Sequence, residues 1–217
     1  MILVRVICVV IGYLFGLFQT SYLYGRANHM DIREHGSGNA GTTNALRTMG
    51  KKAGALTLLG DCLKCVLAVV AVRLIFGGNY KDILPLLSLY AAAGCILGHN
   101  FPFYLGFRGG KGVAASVGMV IVMDWRIFLI CAVVFFTIYF TTHYVSLCSI
   151  SAYLVALVML IVFGQMGHYH MAQARVWEMD LVMTFLTILA VYRHRANIKR
   201  LLSGEESKIY LSTKNKK

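Results

Sequence analysis

Residues 2–24 read ILVRVICVVIGYLFGLFQTSYLY, 23 residues with a single charge at Arg5. A helix needs about 20 largely apolar residues to cross the hydrocarbon of a bilayer. This stretch is too long for a signal-peptide core, and no small-residue cleavage site follows it. It reads as a retained transmembrane helix, and the rest of the chain shares its composition. Of the 217 residues, 58% are hydrophobic and 14% are charged, against roughly 25% charged in soluble domains. Mean hydropathy is +0.67. The chain is therefore counted in membrane spans, with no room for a separate soluble domain.

Apolar segments at about 2–24, 53–76, 83–98, 112–123, 126–141, 145–165 and 179–193 predict an all-α integral membrane protein of about seven transmembrane helices, the fourth of them short. Gly77-Gly78-Asn79, Asp124 and Gly164 read as breaks between neighbours. An odd count puts the termini on opposite sides, and the Lys/Arg distribution chooses between them. Fifteen of the 21 basic residues fall on one side, among them Arg47, Lys111, Arg193 and the C-terminal tail; five fall on the other, and Lys64 lies within a span. The richer side is expected to be cytoplasmic, with the N-terminus outside. The formal net charge of +12 follows the same rule and suits anionic lipid headgroups. Nucleic acid is excluded as a partner, since no soluble basic domain exists to bind it. Residues 1–206 form one polytopic domain on this reading. Residues 207–217 are a basic tail, expected to be disordered.

Two polar, glycine-dense stretches interrupt the apolar chain: GSGNAGTTNALR at 36–47 and GHNFPFYLGFRGGKGVAA at 98–115. Such loops expose backbone N–H groups that can converge on an anion. Arg47 ends the first and Lys111 sits inside the second. Gly109-Gly110-Lys111-Gly112 leads straight into an apolar helix, whose first N–H groups and partial positive charge suit a phosphate oxygen. The nucleotide-binding pattern GxxxxGK[ST] is not matched, because Gly112 follows Lys111, and no strand precedes it; an ATPase is rejected. Both loops fall on the same predicted face as the basic tail, which points to one composite site.

Other polar residues need an account. Asp61 and Lys64, three apart in the second span, can pair on one helical face, either to anchor packing or to orient the loops. His194 and Asn197 are three apart beyond the last span. Ser146 and Ser149 are three apart at the start of the sixth, where serines often just bond the backbone one turn back. All six cysteines lie in apolar stretches and read as small hydrophobes. No His, Cys and carboxylate cluster at metal-ligand spacing is present, so neither metal nor cofactor is expected.

Together these stretches resemble the PlsY family, the bacterial membrane acyl-phosphate:glycerol-3-phosphate acyltransferases. The resemblance rests on the two loops, on HRANIKRLLSGE at 194–205, on the Asp61…Lys64 spacing and on VSLCSI at 145–150, and it covers nearly the whole chain. It implies transfer of an acyl group from acyl-phosphate to the 1-hydroxyl of sn-glycerol 3-phosphate, giving lysophosphatidate and phosphate. It implies a multi-pass protein of the bacterial plasma (inner) membrane with its active site at the cytoplasmic face, functionally linked to an acyl-phosphate-forming enzyme.

The resemblance also implies site roles. Ser37, Gly38, Asn39, Gly41, Thr43 and Asn44 would shape a phosphate-holding loop, and Arg47 and Lys111 would neutralise phosphate. His99, Gly109, Gly110 and Gly112 would let an acyl-phosphate head approach the backbone. His194 and Asn197 would position glycerol 3-phosphate, with Ser146 or Ser149 assisting and Glu205 in a structural role. The general base is left between His194 and a substrate phosphate oxygen. An organophosphate transporter or lipid-phosphate-binding membrane protein is the alternative. Small size and the lack of an evident inverted repeat weigh against it.

Overall fold

The structure is a computed structural model describing residues 1–210; residues 211–217, most of the expected tail, lie outside the described residues. Among the described residues it is helical throughout, with no strand. The α-helices are α1 (Ile2–Gly16), α2 (Thr20–Ala27), α3 (Thr42–Phe76), α4 (Leu84–Asn100), α5 (Val113–Met123), α6 (Trp125–Thr142), α7 (Val145–Gln165), α8 (Gln173–Arg193) and α9 (Arg195–Leu202). Five stretches are long and apolar enough to cross a membrane: Ile2–Ala27, Thr42–Phe76, Lys81–Leu105, Trp125–Thr142 and Val145–Gln165. Leu3, Val10, Leu63, Leu74, Phe136, Phe140, Leu181 and Ile188 are exposed around the outside, as a lipid-facing surface requires.

The bundle is organised on α4. Leu86, Leu87, Leu89, Ala91, Ala92 and Cys95 are all buried, so this helix is covered on every side. α1 runs parallel to it in close contact. A Cβ at Gly12 or Gly16 would overlap backbone carbonyls of Ala91 or Cys95, and one at Gly94 or Gly98 would overlap those of Val9 or Tyr13. Small residues four apart on both helices let the backbones touch, which is how helices gain packing where hydrophobicity gives no drive to associate. α3 packs antiparallel to α4: Lys64 reaches His99 while Arg73 donates to Ser88 Oγ at 3.0 Å. α7 and α8 are antiparallel as well, joined where Gly164 admits Val176. As a result the C-terminal ends of α4 and α8 and the N-terminal ends of α3, α5 and α7 gather at one end of the bundle. The opposite end is closed by Arg5 paired with Glu178 and by Asp124 paired with Arg126 and His168 at 2.8 and 2.9 Å.

Several boundaries differ from those read in the sequence, each for a local reason. The first segment breaks between Gly16 and Thr20. The freed carbonyls are taken by side chains: Lys64 donates to Gly16 and Phe18 oxygens at 3.3 and 2.6 Å, and Gln19 to those of Gly16 and His99 at 3.2 and 3.0 Å. Backbone broken at membrane depth is tolerated only with such partners. α3 consists of two helical stretches that meet at a kink: Gly50, at φ 87° and ψ −178°, is not helical, so the long apolar stretch begins just past it, close to residue 53 as read, and a short helical stretch from Thr42 precedes it. Gly164 is the next-to-last residue of α7, which ends at Gln165, so the break falls one residue beyond the glycine. Asp124 does separate two helices, its carboxylate capping α6 by accepting from Arg126 N at 2.9 Å.

Candidate active site

The first polar loop is folded around Asn44. Its Oδ1 accepts from Ser37 N at 2.9 Å, and its Nδ2 donates to the carbonyls of Ile32 and His35 at 3.1 and 2.9 Å. The carboxamide is thus spent on shaping the loop. Because α3 begins at Thr42, Thr43, Asn44 and Arg47 lie on its first two turns instead of in a loop. Gly41 caps that helix with no side-chain bond to its N–H groups. Ser37 and Gly38 sit exposed at the rim, with Asn39 half-buried behind them. Before the loop, hydrogen bonding from the Arg33 guanidinium brings the Asp31 carboxyl down to about 2. Arg33 also donates to Leu105 O at 3.1 Å, tying the first loop to the second.

The second loop folds back on the end of α4: Gly110 N donates to His99 O at 3.1 Å and Gly109 N to Asn100 O at 3.2 Å. Gly112 adopts φ 82°, a left-handed conformation that glycine takes at little cost, and opens α5 with no side-chain cap. A Cβ on Gly110 would overlap His99 Nε2 and lie 2.8 Å from Ala40 O, so only glycine lets the two loops meet. Their seam holds orphaned polar groups. Both polar atoms of the Asn100 carboxamide and the Thr42 hydroxyl are buried without a partner among the described residues, where such groups are normally paired.

The third motif closes the site from α8 and α9. Arg193 donates to the oxygens of Gly109 and Gly110 at 3.0 and 2.7 Å. Lys111 donates to Asn197 Oδ1. Asn197 Nδ2, Ser146 Oγ and Arg200 Nε all donate to the Glu206 carboxylate, at 2.6, 2.7 and 2.8 Å. Burial opposes the charge of Glu206, but these hydrogen bonds outweigh it and hold the carboxyl below its usual range. Burial, reinforced by the charges of Arg200, Arg193 and Arg47, brings Lys111 down to about 8. Burial and then the charge of Lys111 bring His194 down to about 4, so its ring is neutral at pH 7. Its Nδ1 lies 2.8 Å from Ala190 O. A carbonyl can only accept, so the ring proton sits on Nδ1 and Nε2 is left as an acceptor.

Arg47, His99, Gly109, Gly110, Lys111, Gly112, Ser146, His194 and Asn197 thus come to one end of the bundle. Ser149 does not join them, since its hydroxyl bonds Val145 O of its own helix at 2.7 Å. Glu205 is exposed and accepts from Ser203 at 3.1 Å; the neighbouring Glu206 is the carboxylate that enters the network. Arg193, Arg200, Glu206 and Asn100 belong to the site but were not among the residues singled out from sequence. Arg200 lies within the 194–205 motif and Arg193 immediately before it, and their place in the basic cluster there was the signal available for them.

The fold and the site together define an all-helical integral membrane protein with a cation-rich pocket, built from two glycine-rich loops, at one end of the bundle. The match to the glycerol-3-phosphate acyltransferase family model spans residues 6–204. The glycerol-3-phosphate acyltransferase of Clostridioides difficile (strain 630) is 44% identical over 206 residues, 94% of this chain and 95% of that one. That of Bacillus cereus (strain G9842) is 41% identical over 208 residues, 95% and 96% of the two chains. Among solved structures, PlsY (YgiH), an integral membrane glycerol 3-phosphate acyltransferase in its glycerol 3-phosphate form, superposes with a TM-score of 0.80 at 33% identity, covering 95% of this chain and 96% of that one. Its lysophosphatidic acid form gives 0.78 at 32% identity, covering 95% of each. The chain belongs to the glycerol-3-phosphate acyltransferase family, and acyl transfer to glycerol 3-phosphate is its class of reaction.

Proposed function

We propose that this protein transfers an acyl group from acyl-phosphate to the 1-hydroxyl of sn-glycerol 3-phosphate, releasing lysophosphatidate and inorganic phosphate, at the cytoplasmic face of a bacterial plasma (inner) membrane. The observation that carries this reading is the meeting of two uncapped helix N-termini, at Thr42 and Val113, with Lys111, Arg47, Arg193 and Arg200 around them. Both substrates carry phosphate, so one site needs two anion-binding features, and two are present. One substrate is soluble and the other bears a fatty chain, which suits a site at the end of a lipid-facing bundle. The donor is supplied by an acyl-phosphate-forming reaction.

The hydroxyl oxygen of glycerol 3-phosphate attacks the acyl carbonyl carbon, the bond from that carbon to the phosphate oxygen breaks, and the electron pair leaves with phosphate. Acyl-phosphate is already activated, so the reaction needs no cofactor, and the protein contributes positioning and charge stabilisation. Lys111 and Arg47 neutralise phosphate charge, and Asn197 and Ser146, anchored through Glu206, hold Lys111 in place. The hydroxyl proton goes to His194 Nε2 or to a phosphate oxygen. A histidine at about 4 is a weak base, which favours the phosphate. His194 then serves to orient the hydroxyl by accepting its hydrogen bond. His99 is read as a phosphate donor at the seam of the loops.

Proteoliposomes containing purified protein, given external glycerol 3-phosphate and membrane-borne acyl-phosphate, separate this reading from transport. Lysophosphatidate formation that depends on both substrates is expected. Accumulation of glycerol 3-phosphate inside the vesicles without acylation would replace it with the transporter reading.

A further inference from the structure

Lys64 is buried in α3 within hydrogen-bonding distance of four groups. Its Nζ lies 2.6 Å from Phe18 O, 3.3 Å from Gly16 O, 2.9 Å from Asp61 Oδ1 and 2.8 Å from His99 Nδ1. Thr20 donates to the same Asp61 oxygen at 3.0 Å, fixing the carboxylate from the other side. An ammonium group only donates. His99 Nδ1 therefore has to accept, and the single proton of a neutral ring goes to Nε2. That nitrogen is the one turned to Gly110, where a Cβ would overlap it. Among the described residues no protein acceptor takes the Nε2–H.

We propose that Lys64, held by Asp61, is a positioning residue for acyl transfer: it fixes His99 in the Nε2–H tautomer, so that this N–H is presented to the phosphate bound where the two glycine-rich loops meet. The proposal rests on reading that seam as a phosphate site. A purely architectural ion pair explains less. Lys64 does serve the helix break through the Gly16 and Phe18 oxygens, but that role requires neither Asp61 nor the contact with His99 Nδ1, and replacing a buried ion pair with apolar residues is often neutral or stabilising. What apolar residues cannot do is choose a histidine tautomer, which is set by the partner of the opposite ring nitrogen.

The tautomer is read directly on the wild-type protein. With ring-15N histidine, and the His99 signal assigned by its loss in His99→Gln, Nδ1 should appear unprotonated and Nε2 protonated. The opposite tautomer, or a doubly protonated ring at pH 7, overturns the proposal. Kinetics give a second readout. The charge-balanced pair Asp61→Asn/Lys64→Met should lower kcat/KM about tenfold, within the range of coupling for residues in one hydrogen-bond network. In a His99→Gln background, where an amide N–H replaces the ring and no tautomer is left to fix, the same pair should cost less than about twofold. Equal costs in both backgrounds would reduce Lys64 and Asp61 to packing and defeat the proposal. If the double variant does not fold, the wild-type tautomer decides alone. An active protein with the wrong tautomer sinks this inference only. An inactive protein with the expected tautomer sinks the acyltransferase reading only.

Discussion

Arg193 bridges the end of α8 to the second glycine-rich loop, donating to the oxygens of Gly109 and Gly110 at 3.0 and 2.7 Å with its guanidinium 5.2 Å from the centre of the Phe101 ring. Both carbonyls belong to the turn that precedes Lys111. A hydrogen bond from a charged group contributes about 1.5–3 kcal/mol. Arg193→Gln should therefore lower kcat/KM roughly tenfold to a hundredfold, and Arg193→Lys should recover part of the loss, since Nη2 alone makes both bonds and an ammonium can also donate twice. Unchanged steady-state kinetics for the glutamine variant would mean the loop keeps its shape without the clamp.

Gly110 is the point of contact between the two loops. Gly110→Ala places a methyl against His99 Nε2 and 2.8 Å from Ala40 O, so one loop has to move. A displacement of about 1 Å at a reacting centre can cost on the order of a hundredfold, and that loss is expected in kcat/KM. Gly78, with nothing within 4 Å of its Cβ position, serves as the control and should tolerate alanine. Wild-type kinetics in Gly110→Ala would place the seam outside the active site.

The pH profile follows from two groups outside the spans. Lys111, brought down to about 8 by burial, is charged below that pH and neutral above it. In the free enzyme kcat/KM should fall as pH rises through about 8, and Lys111→Arg should abolish that limb, because a guanidinium stays charged. His194, near 4, is already neutral at pH 5 and cannot produce an acid limb near 6. A phosphate monoester does titrate near pH 6. An acid limb near 6 that survives His194→Ala is expected, with weakened glycerol 3-phosphate binding. An acid limb near 4 that disappears in the variant would return the proton to His194.

Arg47 stands on the second turn of α3, exposed, and its charge reaches Lys111. Removing one preorganised donor typically costs about 2.7–4 kcal/mol of transition-state stabilisation. Arg47→Ala should accordingly reduce kcat roughly a hundredfold to a thousandfold, and Arg47→Lys should restore part of it. A change in KM alone would make Arg47 a ground-state binding residue.

Much of this was legible in the chain. Apolar length marked the helices, and glycine density marked both loops, because neither signal depends on tertiary contacts. The break after Gly16 was not legible, since the carbonyls it frees are taken partly by Lys64 from another helix. Nor was the short helical stretch that begins at Thr42 and ends in the kink at Gly50, inside what reads as a polar gap. In the site, spacing singled out His194 and Asn197 but could not separate Glu205 from Glu206. Only the turn after α9 decides which carboxylate faces Ser146. Ser146 and Ser149 look equivalent in sequence, and the helix phase sends one to Glu206 and the other back to Val145 O.

The most direct test of the central claim is the stoichiometry of the purified protein with acyl-phosphate and glycerol 3-phosphate, measured without any acyl thioester. One lysophosphatidate formed per inorganic phosphate released is the predicted result, with both falling together by at least about a hundredfold in Lys111→Ala. Phosphate release without lysophosphatidate, or acylation sustained by acyl-CoA in the absence of acyl-phosphate, would contradict the account.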